Sequence, residues 1–173
     1  MQKLAVVYFL NQDIKQINRF RQKYDPQWEM IPLHITIVYP LSDISEEQLI
    51  VHMETLTKEM KPFPIRLHGL MKSFDHCLFL LIQEGKEEIM KLRKQLYSGI
   101  LQPYLKNDIP FTPHITIGYF GDEKDELKKE LYEKALSEAE EMHISISLIF
   151  DSVTLIKGDG ISPEKVIKTF ELK

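Results

Sequence analysis

The chain has 173 residues, of which 43% are hydrophobic and 28% charged, and its formal net charge is −4. Such a composition is that of a globular protein long enough to bury a core, and the single cysteine, Cys77, excludes an intrachain disulfide. An acidic chain argues against a protein that coats long DNA or RNA, because that affinity comes mainly from a basic surface. The sequence has neither a signal-peptide pattern nor an apolar run of membrane-spanning length, so we expect a cytoplasmic protein.

The beginning of the chain has the pattern of a strand, a helix and a second strand. Leu4–Leu10 is a continuous apolar run of strand length, which predicts a central strand. Asp13 supplies helix-start chemistry, and apolar residues then recur at helical spacing until Pro26 ends the helix. The following segment leads into an alternating strand that begins at His34 and ends at Pro40.

A second helix and two more strands follow. Ser45 is the expected N-cap of this helix, with Gln48 three residues later as its capping-box partner. Pro62 ends the helix, after which Phe63–Gly69 alternates as a strand and Cys77–Ile82 is a continuous apolar strand.

The second half of the chain repeats this order. A helix over Lys86–Leu101 leads through a connection to a strand that begins at His114, and a charged helix over Glu123–Glu140 follows. Its expected buried side carries Leu127, Leu131, Ala135 and Leu136. Further strands are predicted at His143–Leu148, Ser152–Ile156 and Val166–Leu172.

One motif occurs twice. His34–Tyr39 and His114–Tyr119 both read His-Ile-Thr-Ile-x-Tyr, and the two histidines lie 80 positions apart. Ile, Thr, Val and Tyr favour strands, and alternate residues of a strand share one face. Each copy therefore predicts a strand with a histidine and a threonine on its front and an apolar back, which includes Tyr39 in one copy and Tyr119 in the other.

A single His-x-Thr is a weak signal, because half-buried strands often alternate in this way. Two copies in one chain of this size indicate two equivalent lobes that face each other. We therefore predict a single bilobal domain over residues 1–173, of the α+β class with pseudo-two-fold symmetry. In this fold two antiparallel sheets form a central cleft and the helices lie outside. The front-facing side chains expected in the cleft are those of His34, Thr36, His114 and Thr116.

The two motifs resemble those of the two-histidine (2H) phosphoesterase superfamily, which includes the bacterial proteins named 2′-5′ RNA ligases and the cyclic nucleotide phosphodiesterases. The resemblance covers nearly the whole chain, and residues 21–40 are similar to a bacterial stand-alone subgroup. It implies the 2H phosphoesterase fold, with His34 and His114 as the catalytic histidines. It also implies Thr36 and Thr116 as the hydroxyl partners that bind the substrate. The chemistry of such a site needs neither a metal nor a cofactor, and the motifs lack a third obvious metal ligand.

Two imidazoles and two hydroxyls suit the opening of a cyclic phosphodiester. A histidine titrates at about pH 6.5, so one ring can act as a neutral base while the other is a protonated acid. The hydroxyls can donate to the non-bridging phosphate oxygens as charge develops. The near-symmetry of the motifs leaves open which histidine is the acid. The candidate phosphate-binding cations are Arg66, Lys72 and Lys157.

The resulting hypothesis is a metal-independent hydrolase that acts on a 2′,3′-cyclic phosphate, or a related cyclic or 2′,5′ phosphodiester, of a nucleotide or RNA end. We expect a monomer that binds neither bulk DNA nor a membrane. The alternatives are 2′-5′ RNA ligation, which is the reverse reaction, and a module that binds an RNA end or nucleotide without turnover. A third is a metal-binding protein built on His34 and His114.

Overall fold

The computed structural model describes residues 2–10, 12–73, 76–106, 110–121, 126–158 and 163–173. In chain order, the elements of these residues are β1 (Lys3–Phe9), α1 (Lys15–Tyr24), β2 (His34–Leu41), α2 (Glu46–Thr57), β3 (Phe63–Lys72), β4 (Cys77–Glu84), α3 (Lys86–Leu96), a 3₁₀ helix (Gly99–Tyr104), β5 (His114–Tyr119), α4 (Glu126–Glu141), β6 (Ser145–Phe150), β7 (Ser152–Gly158) and β8 (Pro163–Glu171).

The strands form two four-stranded antiparallel sheets, with the orders β2-β1-β7-β8 and β5-β4-β3-β6. The two His-x-Thr strands, β2 and β5, therefore occupy the same edge position in their sheets, and they contact each other. A helix of each half also packs against the motif strand of the other half: α1 packs against β5, and α3 packs against β2. The predicted α+β fold of two antiparallel sheets is confirmed. Because α1 and α3 each pack against the motif strand of the other half, they join the two halves next to the motifs.

The apolar backs of the two motif strands form part of the core. Ile35 and Ile37 of β2 and Ile115 and Ile117 of β5 are fully buried, as strand alternation predicts. Ser45 is the N-cap of α2, and its Oγ accepts a hydrogen bond from the Gln48 N–H.

Two helices differ from their predicted form. In α4 the buried residues are Tyr132, Ala135 and Ala139, whereas Leu127 is 75% and Leu131 41% exposed. The helix turns this face inward because the Tyr132 ring packs edge-on against Phe120, with ring centroids 5.2 Å apart. The α3 helix ends at Leu96 rather than Leu101, and the chain continues as the 3₁₀ helix. Across the described ranges, no helix is both long and apolar enough to cross a membrane.

Two glycines with positive φ flank α3, and they predict different responses to alanine. A Cβ at Gly85 (φ +78°) would lie 2.5 Å from the Pro64 carbonyl oxygen, whereas one at Gly99 (φ +54°) would meet its nearest atom, His52 Cε1, at 3.5 Å. Both substitutions carry the left-handed strain of about 1–2 kcal/mol, and Gly85→Ala adds an overpacking cost of about 1–3 kcal/mol. We therefore expect urea denaturation to show a clearly larger loss of unfolding free energy for Gly85→Ala than for Gly99→Ala. Equal losses would contradict the close approach at Gly85.

Candidate active site

A cavity of about 500 Å³ lies over the front of β1 and between the two motif strands. His34, Thr36 and Thr116 line it, so three of the four predicted site residues share one cavity. His114 is not part of the lining. It lies two residues before Thr116, and its ring stacks on Phe79 of β4 with the ring centroids 3.5 Å apart. The structure thus brings the two motifs together at one place, with His114 packed beside the cavity.

The two histidine rings are held in the same way. His34 Nδ1 lies 2.8 Å from the Pro32 carbonyl oxygen, and His114 Nδ1 lies 2.6 Å from the Thr112 carbonyl oxygen. A carbonyl can only accept, so Nδ1 carries the proton and donates in each case. The neutral ring then has its lone pair on Nε2. Each motif therefore holds its imidazole through the backbone two residues upstream, in the tautomer that presents Nε2 for proton transfer.

The environment of His34 favours its neutral form. Burial against the cavity walls is the largest effect and lowers the pKa of His34; the hydrogen bond to Pro32 opposes this, and the positive charge of Arg21 lowers the pKa further. The net pKa lies below the usual histidine value. At neutral pH the His34 ring is therefore predominantly neutral, which is the state required of a general base.

Two tyrosines predicted on the apolar back lie instead at the cavity. In β2 the register with β1 shifts by one residue at Ile37 and again between Val38 and Leu41, and in β5 the register with β4 shifts by one residue at Ile117. Such a bulge places two consecutive residues on one side, and the residues after Ile37 and Ile117, which are Val38 and Gly118, are indeed buried. The side chains that follow are turned to the front. Both of these tyrosines, Tyr39 and Tyr119, line the cavity.

A buried ion pair in the cavity wall was not predicted from the sequence. Arg21 near the end of α1 and its C-cap Asp25 are 4% and 5% exposed, and both line the cavity. Arg21 Nη2 lies 2.7 Å from Asp25 Oδ2. The sequence does contain an indication of this ion pair, because Arg21 lies four residues after the core residue Ile17 and four before Asp25, on the apolar face of the helix.

The three cations proposed from the sequence lie elsewhere. Arg66 pairs with Glu84, Lys157 with Glu46, and Lys72 lies over the Tyr132 ring, and none of them lines this cavity. The cationic side chains in the lining are Arg21 and Lys3. Within the described ranges, no group of three or more His, Cys, Asp or Glu side chains has an arrangement that could hold a metal ion.

Comparison with known proteins identifies the family. The sequence profile of the 2′-5′ RNA ligase superfamily matches residues 10–161. The chain belongs to this superfamily. A Bacillus licheniformis protein, provisionally named a phosphoesterase, is 31% identical over 121 residues, which are 66% of this chain and 69% of that protein. A Geobacillus thermodenitrificans protein with a similar name is 30% identical over 121 residues, covering 67% and 68%.

Solved structures share the fold of this 2′-5′ RNA ligase superfamily member. Apo LigT of Escherichia coli superposes with a TM-score of 0.67 at 18% identity, covering 99% of this chain and 98% of LigT. TT0787 of Thermus thermophilus gives a TM-score of 0.66 at 17% identity, with 98% and 97% covered. LigT has also been solved with 3′-AMP. Together with the family match, these findings make the chain a phosphoesterase of the two-histidine, LigT-like type.

Proposed function

We propose that this phosphoesterase is a metal-independent hydrolase for a 2′,3′-cyclic phosphate, or a related cyclic or 2′,5′ phosphodiester, of a nucleotide or RNA end. The observation that carries the proposal is the pair of matching motif strands. They lie at equivalent sheet edges, contact each other, and hold both histidines in the same Nδ1–H tautomer. Two imidazoles in this arrangement provide a base and an acid for one displacement at phosphorus.

The lowered pKa of His34 supports the role of base for this ring, which leaves the role of acid to His114. Neutral His34 accepts a proton from the attacking water at Nε2, and the water oxygen forms the new bond to phosphorus. Protonated His114 donates its Nε2 proton to the ribose oxygen as the bond between that oxygen and phosphorus breaks. The Thr36 and Thr116 hydroxyls donate to the non-bridging oxygens, where negative charge increases in the transition state.

The tyrosines at the cavity support a nucleotide as the substrate. Tyr119 is 42% exposed, and Tyr39 has the Arg93 guanidinium 4.7 Å from its ring centroid. Phe111 contacts the Tyr39 ring edge-on, so Arg93 and Phe111 together hold this ring in place. A braced aromatic ring is a suitable surface for a base, because every base has a π face. Since LigT binds 3′-AMP, we extend nucleotide binding to this chain.

The test is turnover of the four nucleoside 2′,3′-cyclic phosphates in the presence of EDTA, with glycerol 1,2-cyclic phosphate as a substrate without a base. We expect turnover that EDTA does not reduce, and a kcat/KM about 5- to 160-fold higher for nucleotides, because base stacking contributes about 1–3 kcal/mol. Loss of turnover in EDTA, restored by a divalent cation, would contradict the metal-independent mechanism. Nucleotide binding without turnover of any substrate would indicate a binding module instead.

A further inference from the structure

Arg21 connects the end of α1 to the segment that leads into β2. Its Nε donates to Asp25 Oδ2 at 2.8 Å, and its Nη2 donates to the Ile31 carbonyl oxygen at 2.7 Å. Asp25 in turn accepts from the Gln27 N–H through Oδ1 at 2.9 Å. One buried guanidinium thus binds both the beginning and the end of the segment 25–31.

This segment ends next to the group that orients His34. Ile31 precedes Pro32, whose carbonyl oxygen accepts the Nδ1–H of His34. A shift of the Ile31 carbonyl would therefore move the acceptor that fixes the tautomer and the angle of the imidazole. Arg21, Asp25, Ile31, Pro32 and His34 all line the same cavity, so this connection runs along its wall.

Among the described residues, the second half of the chain has a different arrangement. Arg93 on α3 is also buried, at 5% exposure, but it donates to the Ile37 carbonyl oxygen and lies over the aromatic rings of Tyr39, Tyr97 and Phe111. No carboxylate of the described residues pairs with it. The ion pair is therefore a point at which the environments of the two otherwise matching histidines differ.

Burying a charge pair is expensive, and hydrophobic replacement of such pairs is often neutral or stabilising. A role in the site explains why the wall of this cavity contains one. We propose that Arg21 is a positioning residue of the active site, which holds the segment 25–31 and thereby sets the orientation and the charge environment of His34. This inference rests on the proposed function and adds to it a residue outside the His-x-Thr motifs.

The charge environment of His34 is dominated by one element. From α1 and its cap the facing groups are Arg21 and Asp25, and the lowered pKa of His34 includes a contribution from Arg21. The other charged or titratable groups in the lining are Lys3 from β1, Tyr39 from β2, Cys77 from β4 and Tyr119 from β5. Lys3 lies at the end of β1 away from His34, which pairs with Phe9.

Two variants distinguish the effect of Arg21 on the position of the segment 25–31 from the effect of its charge on His34. Arg21→Lys keeps the charge but loses the planar fork that reaches both Asp25 and Ile31, so we expect kcat to fall about tenfold with KM changed less than about twofold. Arg21→Met/Asp25→Asn removes both charges and leaves an acceptor for the Gln27 N–H. In this variant we expect the pKa of His34, and the acid limb of the kcat/KM profile with it, to rise, because the positive charge of Arg21 that lowers this pKa is gone.

The matched control is Lys23→Met, which removes a positive charge from an exposed position of the same helix. It should leave kcat and the pH profile unchanged. Circular dichroism and thermal melting establish that each variant is folded, and NMR titration of the imidazole nitrogens measures the pKa and tautomer of His34 directly. Folded variants with wild-type kcat and wild-type His34 titration would overturn the proposal. So would a loss of kcat in Arg21→Met/Asp25→Asn without any change in that titration, since a merely structural role would produce it.

The NMR titration also separates this inference from the proposed function. If wild-type protein turns over no cyclic phosphate, the proposed function fails, yet a raised His34 pKa in Arg21→Met/Asp25→Asn still supports the role of Arg21. If turnover is present and the His34 titration is the same in all variants, the proposed function stands and the role of Arg21 fails.

Discussion

Replacing either motif histidine should nearly abolish turnover of a 2′,3′-cyclic nucleotide. His34→Ala removes the proposed base and His114→Ala the proposed acid, and each should lower kcat/KM by about 10²–10⁴-fold. Because both rings act in one displacement, the double variant should be little worse than either single variant. Steady-state kinetics in EDTA provides the measurement. A variant of one histidine that keeps wild-type activity would exclude the two-histidine mechanism.

His52→Ala is the matched control for these variants. This histidine lies on α2, and its Nε2 is 2.9 Å from the Leu96 carbonyl oxygen, so it joins α2 to the end of α3. We expect a loss of about 1 kcal/mol in unfolding free energy from the missing hydrogen bond, with kcat/KM unchanged. This control separates the loss of a structural imidazole from the loss of a catalytic one.

The second large effect is expected at the two threonines. Thr36→Val and Thr116→Val keep the shape of the side chain and remove its hydroxyl, so each should lower kcat by about 10²–10³-fold if the hydroxyl donates to the developing charge on phosphate. KM should change less than kcat, because the interaction strengthens in the transition state. The measurement is the kcat and KM of each variant on the best cyclic nucleotide of the panel.

Thr36→Ser and Thr116→Ser provide the control at the same positions, because serine keeps the donor and loses a methyl group. We expect both to retain most of the wild-type kcat. Valine variants as active as the serine variants would show that the hydroxyls play no part in the reaction. A large defect at Thr36 alone would indicate that the substrate phosphate lies closer to β2 than to β5.

Much of the site could be predicted because it depends on local periodicity. The two His-Ile-Thr-Ile repeats have the alternation of a half-buried strand, so the placement of histidine and threonine opposite a buried isoleucine face follows from the residue order alone. The repeat also predicted two equivalent halves, and the pairs β2-β1 and β5-β4 do occupy equivalent edges of the two sheets. Ser45 as the N-cap of α2 is equally local, since the cap and the N–H that it binds are three residues apart.

What the sequence determined by itself is therefore the pair of motif strands, their apolar backs and the α+β class. The tertiary structure decided which other residues join them. The bulges at Ile37 and Ile117 depend on pairing with β1 and β4; Gly118 is a weak sign of one bulge, and nothing in the first copy marks the other. Arg21 enters the cavity wall because the segment 25–31 folds back on α1, a contact between backbone and side chain that periodicity does not encode. Alternation describes one strand, whereas register and loop closure depend on partners that are distant in the chain.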